Sequence, residues 1–204
     1  MNQRLIYVMG PSGAGKDSLL DWLKNRLMPQ SPIHFAKRTI DRPVQAQGEQ
    51  HESVDSATFE RLQKEKSFAM HWLANGRQYG VRHSELEPLQ QQQWLLVNGS
   101  RAYLPEALRQ FDGLSVLHII ASADILRARL LARQRETPEV VEARVQRAVA
   151  FIVPPSCHCV SVLNDSSLDD AGAVLVSALS ALPGWPAGGG LKQTSTHPTH
   201  AGTY

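Results

Sequence analysis

The chain has little cysteine, few aromatics and almost no net charge, and it lacks an apolar run long enough to cross a bilayer. Its two cysteines, Cys157 and Cys159, stand one residue apart, which is awkward for a mutual disulfide and short for a C-x-x-C metal pattern. They read as reduced, structural thiols. A formal charge of +2 over 204 residues is too mild for a nucleic-acid surface, so any preference for anions must come from local clusters. No stretch approaches the roughly 20 apolar residues of a membrane span. Met1-Asn2-Gln3-Arg4 leads straight into an apolar strand rather than a signal-peptide core. The expectation is a cytoplasmic protein without nucleic-acid or membrane partners. At 42% hydrophobic and 20% charged residues, it can build one well-cored domain with room for inserted lobes.

What is present is organised around Gly10, Pro11, Ser12, Gly13, Ala14, Gly15, Lys16, Asp17 and Ser18. The apolar run Leu5 to Met9 precedes this stretch, and Leu19-Leu20-Asp21-Trp22-Leu23-Lys24 follows it. Strand, glycine-rich loop and helix in that order, with G-x-x-x-x-G-K spacing, read as a P-loop. The glycines let successive N–H groups turn inward around a phosphate, and the helix start adds the positive end of its dipole. Lys16 supplies a compact mobile charge for the β- and γ-phosphates of ATP. Ser or Thr usually stands after this lysine to meet Mg²⁺, but here Asp17 does, with Ser18 one place later. A carboxylate is a good hard-oxygen ligand, so both Asp17 and Ser18 stay open as the metal partner.

Further along, Ile33 to Pro43 reads as a short extended segment running into a basic turn that holds Lys37, Arg38 and Arg42, where Pro43 disfavours helix at Arg42. Ser56 to Lys66 reads as a helix, with capping-box spacing from Ser56 or Ala57 to Glu60. Asn75-Gly76 between Phe68–Ala74 and Gln78–Val81 predicts a hairpin. A helix over Ser84–Gln92 and a buried strand from Trp94 to Ser100 follow. Then come the helix Leu104–Phe111, the strand Leu114–Ala121 and two helices rich in arginine. These carry Arg127, Arg129, Arg133, Arg135, Arg144 and Arg147, with Thr137-Pro138 as a helix start. The last elements are a strand near Cys157–Asp165 and a helix over Ser167–Leu182. Alternating strands and helices predict an α/β fold with a parallel core sheet flanked by helices. Beyond Pro183 the composition turns to Gly, Pro, Thr and His, which predicts a disordered tail over residues 184–204.

Over roughly residues 4 to 182 the chain resembles the guanylate-kinase-like branch of the P-loop nucleotide kinases. The resemblance rests on GPSGAGK, Arg38-Thr39 with Arg42-Pro43, Gly48-Glu49, Phe68 with Trp72, Gly76, Tyr79 and Gly80, the arginine-bearing segment, and Val162-Leu163-Asn164-Asp165. It implies a kinase domain over residues 1–183, with an acceptor-binding lobe near 35–82 and a lid near 127–148. Mg-ATP would be the donor and a phosphate monoester the acceptor; homodimerisation is compatible with it.

Two departures bear on the acceptor. Guanylate kinases read guanine partly through an acid just before the lobe tryptophan, where this chain has His71, and through a Glu-x-Asp pattern where it has Asn98-Gly99-Ser100. Leaving guanine N–H groups unpaired would cost about 1–3 kcal/mol each. GPSGAGKDSLL together with Val97 to Tyr103 is similar to the branch members that act on ribose 1,5-bisphosphate in phosphonate breakdown. That similarity implies ATP-dependent formation of 5-phosphoribosyl 1-diphosphate (PRPP) and ADP from this small sugar bisphosphate. Lys16, Arg133 and Arg144 are then the candidate catalytic residues, and Arg38, Arg42, Tyr79, Asn98, Ser100 and Arg101 the candidate acceptor contacts. Arg77 and Arg82 are spare cations for a second phosphate, and His71 is a further candidate contact. The alternatives are a guanylate or other nucleoside monophosphate kinase and a non-catalytic binding domain of the same fold.

Overall fold

The computed structural model describes residues 3–43, 50–134, 136–155, 157–186 and 190–192. Gly48, Glu49, Arg135 and residues 193–204 of the expected tail lie outside the described residues. In chain order the elements are β1 (Leu5–Met9), α1 (Lys16–Arg26), β2 (Ile33–Phe35), β3 (Arg38–Ile40), β4 (Glu52–Ser53), α2 (Ser56–Lys64), β5 (Phe68–Ala74) and β6 (Arg77–Arg82). They continue with α3 (Glu87–Gln90), β7 (Trp94–Asn98), α4 (Leu104–Gln110), β8 (Ser115–Ile120), α5 (Ala123–Ala132), α6 (Pro138–Val149), β9 (His158–Leu163) and α7 (Leu168–Ser180).

Five parallel strands form the core sheet in the order β2-β7-β1-β8-β9. The central strands are near-continuous apolar runs because both faces are covered. Ile6, Val8, Leu96, Leu117 and Ile119 pack toward α1, α5, α6 and α7. Leu5, Tyr7, Leu95, Val97 and Val116 pack on the other face against Leu104, Trp72 and Tyr79. The second sheet, β4-β3-β6-β5, falls within residues 35–82, where the resemblance leads one to expect the acceptor lobe. β1 sits between β7 and β8, so their C-terminal ends open at one edge, where a sheet of this kind gathers ligand-binding residues. No helix among the described residues is long and apolar enough to cross a membrane.

Local chemistry explains where the elements depart from expectation. Helix α2 is capped by Asp55, whose Oδ1 accepts from Thr58 N at 2.6 Å, and not by Ser56 or Ala57. The expected helix Ser84–Gln92 is a 3-10 turn over His83–Leu86 followed by the four residues of α3. The run Gln90 to Gln93 gives it no apolar stripe to bury. Asn75 and Gly76 take φ of 49° and 69°, the conformation a two-residue hairpin turn needs.

The expected break after Pro183 does not hold for residues 184–186 and 190–192. The Trp185 ring meets Trp94 edge-on at 4.8 Å, Trp94 Nε1 donates to Gly184 O at 3.2 Å, and Leu191 pairs with Leu27. Trp185 and Leu191 supply the apolar surface through which these described residues pack.

Candidate active site

The loop after β1 is shaped by two close approaches. A Cβ on Gly10 would lie 2.0 Å from Ile119 O, and one on Gly15, which has φ of 81°, would lie 2.3 Å from Asn164 Nδ2. Only glycine fits either place. Buried Asn164, from the end of β9, donates to Ala14 O at 2.7 Å, so the far edge of the sheet holds the loop. Its neighbour Asp165 accepts from Ser122 N at 2.8 Å and anchors the start of α5. Across the loop, Arg129 Nη1 donates to Gly13 O at 3.4 Å.

Lys16 Nζ donates to Gly10 O at 3.0 Å and Pro11 O at 3.3 Å, folded over its own loop. Burial pushes its pKa down to about 8; Asp17 opposes this, and Arg38, Arg101 and Arg133 add to it. The lysine therefore lies within electrostatic reach of one acid and three arginines. All four are candidates from the sequence, and the three arginines come from different segments of the chain.

Asp17, exposed on the first turn of α1, accepts from Asn98 Nδ2 at 2.8 Å. Asn98 is buried, and its carbonyl accepts from Arg38 Nη1 at 3.2 Å. Tyr7 reaches the same strand end from below: its hydroxyl donates to Ser100 O and accepts from Ser100 N, both at 2.9 Å. A Cβ on Gly99 would lie 2.3 Å from that hydroxyl. Burial raises the Tyr7 phenol well above its ordinary range, so it stays a neutral donor. Ser100 Oγ accepts from Ala102 N at 3.3 Å; its hydroxyl caps the turn that presents Arg101. Ser18 is exposed on α1.

In the lobe, Arg38 is buried with its Cζ 5.1 Å over the Tyr79 ring, and Tyr79 stacks on Trp72 at 5.7 Å. Burial lowers the Arg38 pKa most, an unfavourable setting that an anion would relieve. Arg42 carries a buried Nε with no partner among the described residues, and its carbonyl is bonded to His51 Nε2 at 2.9 Å. Arg82 is not a spare cation. Its Nε and Nη2 clasp the two oxygens of Glu52 at 2.7 Å, and Glu52 also accepts from Thr39 Oγ1 at 2.6 Å. Arg77 Nη1 donates to Asp41 O at 3.1 Å on the surface. His71 is exposed, pointing away from Trp72 on β5.

The two arginine-bearing helices are stapled together. Arg127 Nε meets Glu142 at 2.8 Å and its Nη1 meets Asp124 at 2.7 Å. Arg144 pairs with Glu136, so that candidate is engaged within residues 127–148, the expected lid. Arg133 is exposed at the end of α5. Arg129 is a site residue that motif reading did not select. Asp21 is another, lining with Asp17, Lys24, Lys37 and Asn98 a cavity of about 300 Å³. A larger groove of about 640 Å³ along Lys24, His34 and Glu85 holds none of the loop residues.

No protein-family model matches the chain. Among curated proteins it is similar to ribose 1,5-bisphosphate phosphokinase PhnN of Pseudomonas paraeruginosa, 40% identical over 185 residues that cover 88% of this chain and 96% of the relative. The proteins of that name from Janthinobacterium sp. and Laribacter hongkongensis are 40% and 44% identical over 86% and 87% of this chain. The chain spans only 39% and 42% of the length of those two relatives. Among solved structures, guanylate kinase from Anaplasma phagocytophilum superposes with a TM-score of 0.61 at 15% identity, covering 87% of this chain and 84% of that one. That likeness bears out the expected guanylate-kinase-like P-loop kinase fold.

Proposed function

Because the chain belongs to the ribose 1,5-bisphosphate phosphokinase family, we propose that it transfers the γ-phosphoryl group of ATP to ribose 1,5-bisphosphate, giving 5-phosphoribosyl 1-diphosphate and ADP in the cytoplasm. The observation that carries this reading is the strand end beside the phosphate loop, where Asn98 bonds Asp17 through its side chain and buried Arg38 through its carbonyl and no pair of acids stands. An oxygen of the C1 phosphate attacks the γ-phosphorus, and the bond to the β–γ bridging oxygen breaks as ADP leaves. The attacking oxygen is already ionised at neutral pH, so the reaction needs no general base. What it needs is positioning and charge neutralisation.

Each part of the site has a task in this scheme. The loop Gly10 to Ser18 cradles the ATP phosphates, and Lys16 leaves its loop carbonyls for the β- and γ-oxygens. Arg38, held against Tyr79, takes an acceptor phosphate together with Arg42, whose partnerless Nε suits an anion. Asn98 and Ser100 stand at the strand end for a sugar hydroxyl, with Arg101 beside them. Arg133 and Arg144 answer the transferring group from the lid, which requires Arg144 to exchange Glu136 for phosphate.

Mg²⁺ fits the donor set in one way. Among the described residues no group of three or more acids, histidines or cysteines could hold a metal. The ion would therefore rest on one carboxylate plus phosphate oxygens and water, its usual preference. Asp17 is favoured over Ser18 because Asn98 already orients its carboxylate. When bound, Mg²⁺ neutralises charge on the phosphate oxygens.

The test is a coupled assay of ADP release. Turnover with ribose 1,5-bisphosphate and little with GMP is expected. Turnover with GMP alone would replace this reading with the guanylate kinase one.

A further inference from the structure

Phe151 lies just past the last turn of α6, at the base of the lid segment, and belongs to none of the motifs above. Its ring touches two side chains from other parts of the fold. His118, near the C-terminal end of β8, meets it edge-on with centroids 5.6 Å apart at 69°. Arg101, on the turn after β7, places its Cζ 5.0 Å from the ring centroid. Arg101 Nη1 also donates to Arg147 O at 3.4 Å, at the C-terminal end of α6, where the helix dipole favours a cation.

His118 is only 7% exposed, and its Nε2 has no hydrogen-bond partner among the described residues. The Phe151 ring is the aromatic surface that its imidazole packs against. Burial first, then the charges of Arg101 and Lys16, lower its pKa to about 4, so it sits in the stack as neutral imidazole. Arg101 in turn reaches Lys16 electrostatically. A single guanidinium thus bridges the turn after β7 and the C-terminal end of α6.

We propose that Phe151 is a positioning residue for the acceptor: backed by His118, its ring holds Arg101 beside the phosphate site and ties it to the end of the lid helix α6. Acceptor binding and lid position are then linked through one side chain. When an acceptor phosphate takes the Arg101 guanidinium, the Arg147 carbonyl loses its donor while the aromatic face still supports the arginine. This inference rests on the assignment of Arg101 to the acceptor.

The experiment compares Phe151→Leu, Phe151→Tyr, Arg101→Lys and the double variant Phe151→Leu/Arg101→Lys in steady-state kinetics. Phe151→Leu should raise KM for ribose 1,5-bisphosphate by about five-fold, the range of a half-buried cation–π contact, and move KM for ATP far less. Phe151→Tyr, which keeps the ring, should restore the native constant. In the double variant the effect should not multiply, because both substitutions remove the same contact. A native acceptor KM in Phe151→Leu, or two effects that multiply, would overturn the inference and leave the proposed reaction standing. If the native chain uses GMP and not ribose 1,5-bisphosphate, the proposed acceptor falls, and the same comparison with GMP decides the role of Phe151. Turnover with neither overturns both.

Discussion

Asn98 Nδ2 donates to Asp17 Oδ1 at 2.8 Å, joining the end of β7 to the first turn of α1. The bond explains how an aspartate can stand where a phosphate loop usually has a hydroxyl. A free carboxylate would swing and repel the incoming phosphates, whereas a held one presents its other oxygen to a cation. Asn98→Ala should raise the Mg²⁺ concentration for half-maximal turnover by about ten-fold, the lower end for residues that orient a metal ligand. Asp17→Ala should raise it further. An unchanged metal titration in Asp17→Ala would move the metal role to Ser18.

The Lys16 amine, held near pKa 8 mainly by burial, should impose an alkaline limit on nucleotide capture. It is protonated below that value and neutral above it, so kcat/KM for ATP should fall as pH rises past about 8. A pH profile of the free enzyme reports this limb directly. Lys16→Arg should remove the limb whatever its overall activity, because a guanidinium stays charged. Lys16→Ala should lower turnover on the order of 100- to 1,000-fold, as for loss of one transition-state donor.

The phosphate loop was readable in the sequence because strand, glycines, lysine and helix are contiguous and their chemistry is local. The assembly around it was less so. The Asp17–Asn98 bond spans 81 positions and the Asn164–Ala14 bond 150, and neither leaves a periodic trace. One signal was available in the arginine-rich segment. Leu126 and Leu130 are the residues nearest a Cβ on Gly13, and Arg129 and Arg133 share their face at helical spacing. That stripe separates Arg129, whose Nη1 reaches Gly13 O, from Arg127, which staples α5 to α6. The engagement of Arg82 leaves no sequence signal for a comparable reason. Its partner Glu52 is 30 residues away and comes alongside only when β3, β4 and β6 pair.

The Glu52 clasp should stabilise the lobe rather than bind substrate. Hydrogen bonds from Arg82, and then from Thr39, hold the Glu52 carboxyl below its ordinary range. Its stabilisation is therefore present above the unfolded-state pKa and is lost as pH falls through the folded one. The pair is about one-third exposed, so solvent screening limits it to about 1 kcal/mol. Glu52→Gln should lower Tm by about 2–4 °C near neutral pH, with the difference from native shrinking in acid. A large rise in acceptor KM with unchanged Tm would instead place Arg82 in the binding site.

Arg129 makes the sharpest contrast within the lid segment. Its Nη1 bond to Gly13 O is long at 3.4 Å, and the same nitrogen lies 3.7 Å from where a Cβ on Gly15 would stand. A guanidinium gains more from a phosphate oxygen than from a distant neutral carbonyl, since charge-assisted bonds are shorter and roughly twice as strong. Arg129 should therefore turn from the loop to the nucleotide on binding. Arg129→Ala should raise KM for ATP by about ten-fold, the loss of one hydrogen bond to a charged group, and leave Tm nearly unchanged because the bond it gives up is weak. Arg127→Ala should do the reverse, since it removes the ties to Asp124 and Glu142, its hydrogen-bond partners among the described residues. Measuring both constants in both variants separates the roles. If Arg129→Ala lowers Tm and spares KM for ATP, the arginine is a strut for the loop and not a nucleotide contact.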